Sequence, residues 1–200
     1  MSKRHTQNEP YGNIPQWLHY LKSGKEGDIY TCNQYAFKVY PEHTKWMVME
    51  NEFRFLEKYQ HTSVVPKVYS DLETLKELNV IVMDYLRNYK PLKLVKSGGL
   101  TAKQKETLLR SLVYARYRLG ENVTFTDLHS DNVLVSDDLL SVKFIDAGKE
   151  YHHGSGWIDW LSNISNELGA TRTPIGKLIK SFNAPALKKI VELDSSTKKM

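Results

Sequence analysis

Three polar side chains in the second half of the chain have the types and the spacing expected for phosphate chemistry. Asp127 and Asn132 lie five positions apart, and Asp146 ends an apolar segment just before a pair of small residues. Together they offer hard oxygen ligands and one spare carboxylate, a set that suits Mg²⁺ bound with phosphate groups. Phosphoryl transfer needs metal ions to neutralise charge and a carboxylate to orient the attacking hydroxyl. These residues therefore predict a phosphoryl-transfer site.

The first half of the chain contains residues that could bind the phosphates themselves. Gly24 and Gly27 stand just before the first predicted strand, and glycine lets backbone amides approach a phosphate closely. Lys38 interrupts an apolar strand, where a lysine is costly unless it is paired. Glu52 follows on a predicted helix and is the natural partner for this lysine.

Patterns of apolar residues and turn formers predict the elements of the first half. Residues 14–21 are predicted as a short amphipathic turn or helix, and one longer helix is predicted at 44–60, where apolar side chains recur at helical spacing. The charged stretch 70–78 is predicted to be hairpin-like. The predicted strands are residues 29–32, 35–40, 64–69 and 79–85.

The second half is predicted to be mainly helical, with one small hairpin. Thr101 is expected to cap a helix over residues 102–119 that Gly120 ends. Residues 87–100 are predicted as a polar connector. The other predicted elements are two short strands at 133–135 and 142–145, a helix at 157–168, and one or two helices within 174–193.

Composition and charge exclude several classes of protein. The chain has 28 Lys and Arg against 23 Asp and Glu, a formal net charge of +5 that favours anionic ligands slightly. These cations are scattered, so no dedicated nucleic-acid surface is expected. The single Cys32 excludes an intramolecular disulfide framework and a Cys-rich zinc module. No apolar run approaches the roughly 18 residues of a membrane helix, and the polar start lacks the core of a signal peptide, so a cytoplasmic location is expected.

Six segments, in order along residues 20–165, resemble the motifs of the protein-kinase-like superfamily. They are Ser23-Gly-Lys-Glu-Gly-Asp-Ile-Tyr30 for the Gly-rich loop, Tyr35-Ala-Phe-Lys38 for the V-A-I-K strand, Glu52-Phe-Arg-Phe-Leu56 for the third helix, Val80-Ile-Val-Met-Asp-Tyr-Leu86 for the strand and hinge, Phe125-Thr-Asp-Leu-His-Ser-Asp-Asn132 for the catalytic loop and Ile145-Asp-Ala-Gly148 for the D-F-G segment.

The resemblance implies a role for each matching residue. Asp127 would be the catalytic residue that orients the acceptor hydroxyl, and Asn132 and Asp146 would hold Mg²⁺. Lys38, held by Glu52, would bind the α- and β-phosphates of ATP. The other implied nucleotide-binding residues are Gly24, Lys25, Gly27, Ile29, Ala36, the gatekeeper Met83, the hinge residues Asp84, Tyr85 and Leu86, and Leu134.

The implied fold is α+β and two-lobed, with a β-rich first lobe and a truncated helical second lobe. The expected boundaries are a flexible tail at 1–13, the first lobe at 14–86, the second at 87–193 and a tail at 194–200. ATP is expected between the lobes. The expected reaction moves its γ-phosphoryl group to a hydroxyl, that of a Ser or Thr on a protein.

Some residues depart from the family pattern. Phe125 and Thr126 stand where the catalytic loop usually has His and Arg, and Ala147 stands where the D-F-G segment has Phe. Only about ten residues separate Asp146 from the helix predicted at Trp157, too few for a full activation segment. The chain therefore resembles minimal, atypical kinases such as Rio-like and aminoglycoside-phosphotransferase-like enzymes. It is expected to be active as made, or gated by a partner that covers the truncated second lobe.

Two rival functions remain open from the sequence. The segment Asp127-Leu-His129 is similar to a loop of small-molecule phosphotransferases, including aminoglycoside and choline kinases. The departures at Phe125, Thr126 and Ala147 favour instead a nucleotide-binding pseudokinase or scaffold. The retained lysine, asparagine and two aspartates oppose that second alternative.

Some residues near the predicted site have two interpretations each. His129 would either contact phosphate or cap its loop. Asp159 would either hydrogen-bond the catalytic loop, as in the family, or be an exposed acid at a helix N-terminus. Gly24 and Gly27 would either approach phosphates or only form a hairpin turn.

Overall fold

The computed structural model describes residues 15–24, 26–120, 124–125, 128–145, 150–151, 156–181 and 187. The chain divides into two compact units. The first contains the described residues up to Glu57 together with Lys67–Leu86, and the second contains Lys58–Pro66 and the described residues from Arg87 onward. Both strands and helices are present, which confirms the predicted α+β class.

The first unit is built on a four-stranded antiparallel sheet with the order β1-β2-β3-β4. Its strands are β1 (His19–Ser23), β2 (Asp28–Cys32), β3 (Tyr35–Val39) and β4 (Val80–Asp84). Asn33 has a φ of 53°, a conformation that asparagine tolerates, and with Gln34 it turns the chain tightly between β2 and β3. The register pairs Lys38 with Ile29 on one side and Ile81 on the other. Lys38 therefore lies on an inner strand of the sheet.

Helix α1 (Trp46–Tyr59) buries one of its faces. Met49, Phe53 and Leu56 recur three or four residues apart, so their side chains align along one side of the helix. Glu52 is buried with them. A single turn of 3₁₀ helix, Gln60–Thr62, follows α1 directly.

The hairpin-like prediction for residues 70–78 is wrong, because this stretch forms helix α2 (Leu72–Leu78). The Asp71 carboxylate accepts a hydrogen bond of 2.8 Å from the backbone N–H of Thr74, as a helix N-cap does. Asn79, with a φ of 52°, ends the helix in the left-handed conformation. These local caps stabilise a short helix within a stretch whose charges suggested a turn.

Of two other predictions in the first half, the turn or helix at 14–21 is confirmed only as a short turn, and the strand at 64–69 is wrong. Residues 16–18 form a turn, closed by the Leu18 N–H donating to the Pro15 carbonyl at 3.0 Å, and strand β1 begins at His19 instead of a helix. Residues 64–69 form no continuous strand, and only Val68 makes a β-bridge, to Met83. Strand β1 forms by pairing with the neighbouring strand β2, and Val68 pairs with Met83, fifteen residues further along the chain.

The second unit contains two small antiparallel sheets. One has the order β5-β7-β8, and the other pairs β6 with β9. The strands are β5 (Tyr89–Pro91), β6 (Thr124–Phe125), β7 (Val133–Ser136), β8 (Val142–Phe144) and β9 (Glu150–Tyr151). The hairpin predicted from the sequence is β7–β8.

Four helices are described in the second unit: α3 (Leu92–Ser97), α4 (Ala102–Leu119), α5 (Gly156–Glu167) and α6 (Pro174–Lys180). The prediction of a connector at 87–100 is wrong, since β5 and α3 lie within it. The predicted end of the last helix, beyond residue 181, lies almost entirely outside the described residues. No helix in the described part of the chain is long and apolar enough to cross a membrane.

Helix α4 is the central helix of this unit's core. Its side chains Leu108, Leu109, Leu112 and Val113 are fully buried. As predicted, Thr101 caps its N-terminus. The Thr101 hydroxyl accepts from the Gln104 N–H, and the Gln104 side chain accepts from the Thr101 N–H in return.

We predict that Thr101→Ala lowers the free energy of unfolding by about 1 kcal/mol, because it removes the side-chain acceptor of the capping box. Urea unfolding followed by circular dichroism measures the change. Thr107→Ala is the matched control. Among the described residues its hydroxyl donates only to the Lys103 carbonyl within the same helix, and alanine favours helix, so no loss is expected. Equal losses in the two variants would contradict the capping role.

Candidate functional site

Lys38 and Glu52 form a buried ion pair in the first unit. Strand β3 supplies Lys38, which is 5% exposed, and helix α1 supplies Glu52, which is 6% exposed. The Lys38 Nζ lies 2.5 Å from the Glu52 Oε2. The contact predicted from the sequence is therefore present. Burial of a lysine and a glutamate is tolerable here because each has an oppositely charged partner.

Tyr40 contacts the same carboxylate oxygen, which the sequence analysis missed. Its hydroxyl donates a hydrogen bond of 2.6 Å to the Glu52 Oε2. Tyr40 lies two residues after Lys38, and alternate residues of an extended segment point to the same face. The only sequence signal was this spacing, an aromatic residue with a hydroxyl on the face of Lys38.

The two glycines of the predicted phosphate loop connect β1 to β2. The Gly24 N–H donates to the Gly27 carbonyl at 2.8 Å, so the loop is closed by a short-range hydrogen bond. A Cβ at Gly27 would lie only 2.6 Å from the Val39 carbonyl oxygen, so this position requires glycine for close approach to the end of β3. Lys25 lies outside the described residues. The described geometry is that of a turn, and phosphate binding by it stays a prediction.

The other predicted nucleotide residues of the first unit lie on its sheet. Ile29 is on β2 and pairs with Lys38. Ala36 of β3 and Met83 of β4 pair with each other, and both are buried. Ile29 thus lies directly across from the lysine, and the Ala36–Met83 pair lies two positions away along β3, where alternate residues share a face.

The segment after β4 is held by hydrogen bonds that the sequence did not reveal. The Asp84 carboxylate accepts from the Lys67 N–H at 3.0 Å and from the Tyr69 hydroxyl at 2.8 Å. The Asp84 N–H donates to the Lys67 carbonyl, and the Tyr85 N–H donates to the Gln34 carbonyl. Since the N–H groups of Asp84 and Tyr85 are already hydrogen-bonded, any N–H that this predicted hinge offers to a ligand comes from Leu86.

In the second unit, Asn132 lies just before β7 and is 9% exposed. Its N–H donates to the His129 carbonyl at 3.0 Å, and its carbonyl accepts from the Ile145 N–H at 2.9 Å. The structure therefore brings Asn132 to the residue that directly precedes Asp146. Leu134, two positions further on, is half-buried on β7 and pairs with Lys143 of β8.

Asp127 and Asp146 themselves lie outside the described residues. Residues that shortly precede each aspartate are described, however. Phe125, two residues before Asp127, pairs with Glu150 in the β6–β9 sheet. Ile145, one residue before Asp146, is bonded to Asn132. Backbone hydrogen bonds therefore join the segments that flank both aspartates.

The described part of the predicted catalytic loop is capped by its own histidine. The Asp131 N–H donates to the His129 Nδ1 at 3.3 Å, so the interpretation of His129 as a loop cap has a described contact behind it. An imidazole nitrogen can accept this bond only while it carries no proton. Contact of His129 with phosphate stays a prediction.

Two lysines of α3 contact the same loop, and sequence reasoning missed both. The Lys93 N–H donates to the Ser130 carbonyl at 3.2 Å, and its Nζ lies 3.3 Å from an Asp131 carboxylate oxygen. The Lys96 ammonium contacts the Ser130 hydroxyl at 3.4 Å and forms an ion pair with Glu167 of α5. Their spacing of three residues was the available signal, but it lay in a stretch predicted to be a polar connector.

Asp159 is an exposed acid in the first turn of α5. This placement matches the second of its two interpretations. The described residues also contain no cluster of three or more His, Cys, Asp or Glu side chains that could hold a metal ion. The predicted ligand Asp146 lies outside the described residues, and the other predicted ligand, Asn132, is an asparagine and so does not count toward such a cluster.

A scan against protein-family models found no match for this chain, and a search of curated proteins found no similar sequence. The kinase-like resemblance therefore depends on the motifs and on the contacts described above.

The Tyr69–Asp84 contact predicts a dependence of stability on pH. The hydrogen bond from Tyr69 to the Asp84 carboxylate, with smaller contributions from burial and from the carboxylate charge, raises the pKa of Tyr69 above its ordinary value of 10.0. A raised folded-state pKa means that the stabilisation is complete below pH 10.0 and is lost as the pH rises through the folded-state pKa. We predict that Tyr69→Phe unfolds at a lower urea concentration than the wild type below pH 10. Above pH 10 this difference in urea midpoint should disappear.

Tyr20→Phe is the control for this experiment, because the Tyr20 hydroxyl contacts only the Ser23 hydroxyl in the described structure. The difference in urea midpoint between Tyr20→Phe and the wild type should not follow the same pH dependence. A Tyr69→Phe gap that stays constant across the alkaline range would contradict the assigned contact.

Proposed function

We propose that this chain is an ATP-dependent phosphotransferase of the protein-kinase-like superfamily, with a two-lobed fold whose helical second lobe is truncated. It moves the γ-phosphoryl group of ATP to a hydroxyl, that of a Ser or Thr on a protein. The observation that carries the proposal is the buried Lys38–Glu52 ion pair on an inner strand and the helix that follows it.

A buried ion pair needs an explanation beyond stability. Removing both charges from water costs several kcal/mol, and a well-packed apolar pair of similar size is often at least as stable. A lysine that binds phosphate must, however, keep its charge and a fixed position, and a buried carboxylate supplies both. The pairing therefore supports a role for Lys38 in binding the α- and β-phosphates.

The residues around this pair fit a bound nucleotide. Ile29 pairs with Lys38, Ala36 and Met83 pair with each other two positions along β3, and these three apolar side chains would contact the adenine. The hydrogen bonds of Asp84 and Tyr85 fix the segment that presents Leu86. Gly24 and Gly27 would cover the phosphates, which requires the Gly24 N–H to leave the Gly27 carbonyl.

The residues of the second unit fit Mg²⁺ and an acceptor hydroxyl. Asn132 and Asp146 would hold the metal, and the Asn132–Ile145 hydrogen bond keeps their segments together. Bound Mg²⁺ would neutralise charge on the β- and γ-phosphates. Asp127 would orient the acceptor hydroxyl and take its proton late in the transfer.

We predict that Asp127→Asn lowers phosphoryl transfer by about 10²- to 10⁴-fold, the range for loss of a general base. The assay follows radiolabelled γ-phosphate from ATP into candidate protein substrates and into small aminoglycosides and choline. Asp137→Asn is the matched control, since Asp137 is an exposed acid in the turn after β7 that pairs with Lys90. It should keep wild-type activity.

The acceptors separate the proposal from its rivals. Label in protein supports the proposed acceptor class, and label only in a small molecule replaces it with a small-molecule phosphotransferase. Binding of ATP without any transfer would instead indicate a nucleotide-binding pseudokinase. Full activity of Asp127→Asn would refute the catalytic assignment.

A second prediction concerns the ion pair. Lys38→Met should weaken transfer by orders of magnitude, and Glu52→Gln should act in the same direction but less. The double variant should lose much less than the product of the two, because both changes remove one interaction. Initial rates at saturating and limiting ATP measure this. Losses that multiply independently would mean that the pair does not act as a unit.

A further inference from the structure

The Glu52 carboxylate is the acceptor in a buried group of three side chains. Its Oε2 receives hydrogen bonds from the Lys38 ammonium at 2.5 Å and from the Tyr40 hydroxyl at 2.6 Å. The Lys38 Nζ also lies 5.2 Å from the centre of the Tyr40 ring. Tyr40 is 2% exposed, so its hydroxyl cannot exchange this acceptor for bulk water.

The backbone fixes Tyr40 where this contact can form. Tyr40 directly follows β3, and its N–H donates to the Asn79 carbonyl at 2.9 Å, which extends the pairing of β3 beyond its last residue. Lys38 lies two residues before Tyr40, and alternate residues of an extended segment share a face, so the two side chains lie on the same face. Both donors therefore reach the one glutamate that α1 buries.

The two donors differ in what happens to them when a phosphate arrives. The lysine ammonium carries a full positive charge, so an anionic ligand competes with Glu52 for it. The tyrosine hydroxyl is neutral, and phosphate exerts much less pull on it. A buried carboxylate that loses a charged donor is destabilised, and the loss is smaller if another donor stays in place.

We infer that Tyr40 is a positioning residue of the phosphate site. Its hydroxyl holds the Glu52 carboxylate while the Lys38 ammonium shares itself between that carboxylate and the phosphates of ATP. This inference rests on the proposed function, since it concerns how the same lysine binds a nucleotide. Tyr40 does not itself contact the nucleotide; it acts through Glu52 and Lys38.

The test compares ATP with adenosine, which has the same base and sugar but no phosphate. Equilibrium binding of Mg²⁺-ATP and of adenosine is measured on the full chain, for the wild type and for Tyr40→Phe. That variant keeps the ring and removes only the hydroxyl. We expect ATP affinity to fall by up to about tenfold, because Glu52 is left without its second donor when Lys38 is shared with the phosphates, and adenosine affinity to stay unchanged.

Two further variants make the result specific. Tyr89→Phe is the matched control, because the Tyr89 hydroxyl donates to the Ser141 hydroxyl at 2.8 Å in the second unit, away from Lys38 and Glu52 in the sequence. It should bind both ligands as the wild type does. In a Lys38→Met background, Tyr40→Phe should have no further effect on ATP affinity, because the lysine through which it acts is gone.

Each other outcome contradicts the inference in a distinct way. Equal ATP affinities of the wild type and Tyr40→Phe would show that the hydroxyl has no role in phosphate binding. Parallel losses for ATP and adenosine, or the same loss with Lys38→Met present, would assign Tyr40 a merely structural role. A wild-type chain that binds neither ligand would overturn the proposed function itself, and the role of Tyr40 with it.

Discussion

The buried ion pair between Lys38 and Glu52 is the interaction on which the functional account depends. It requires an inner strand that carries a lysine, a helix that presents a carboxylate on its apolar face, and a second donor to that carboxylate. The first unit provides all three, through β3, α1 and Tyr40. A pair of this kind adds little net stability, so its presence is best explained by a task that needs a fixed and charged lysine.

Much of this arrangement could be predicted because it depends on short-range patterns of apolar, charged and turn-forming residues in the sequence. Alternation and turn residues define β2 and β3, and the recurrence of apolar residues defines α1. Lys38 was conspicuous because a charge within an apolar strand demands a partner. Thr101 and Gly120 likewise bracket α4 with the cap and the terminator that its sequence suggests.

The features that escaped prediction depend on distant parts of the chain or on short-range caps. Helix α2 forms in a charged stretch because Asp71 and Asn79 cap its two ends. Helix α3 is only six residues long, and its place is set by hydrogen bonds to Ser130, thirty-seven residues beyond Lys93. The bond of Tyr40 to Glu52 needs a strand and a helix to be packed together before it exists. The periodicity of apolar residues along the sequence does not predict contacts of this kind.

One labelling experiment tests the central claim, that Lys38 faces the phosphates of bound ATP. An ATP derivative with an acyl group on its terminal phosphate transfers that group to an amine held beside the phosphates, and mass spectrometry of peptides locates it. The account predicts acylation of Lys38 that excess Mg²⁺-ATP prevents. Exposed lysines such as Lys90 should be acylated only to the extent that dissolved reagent acylates any exposed lysine. Absence of label on Lys38, or label that ATP does not compete away, would contradict the account.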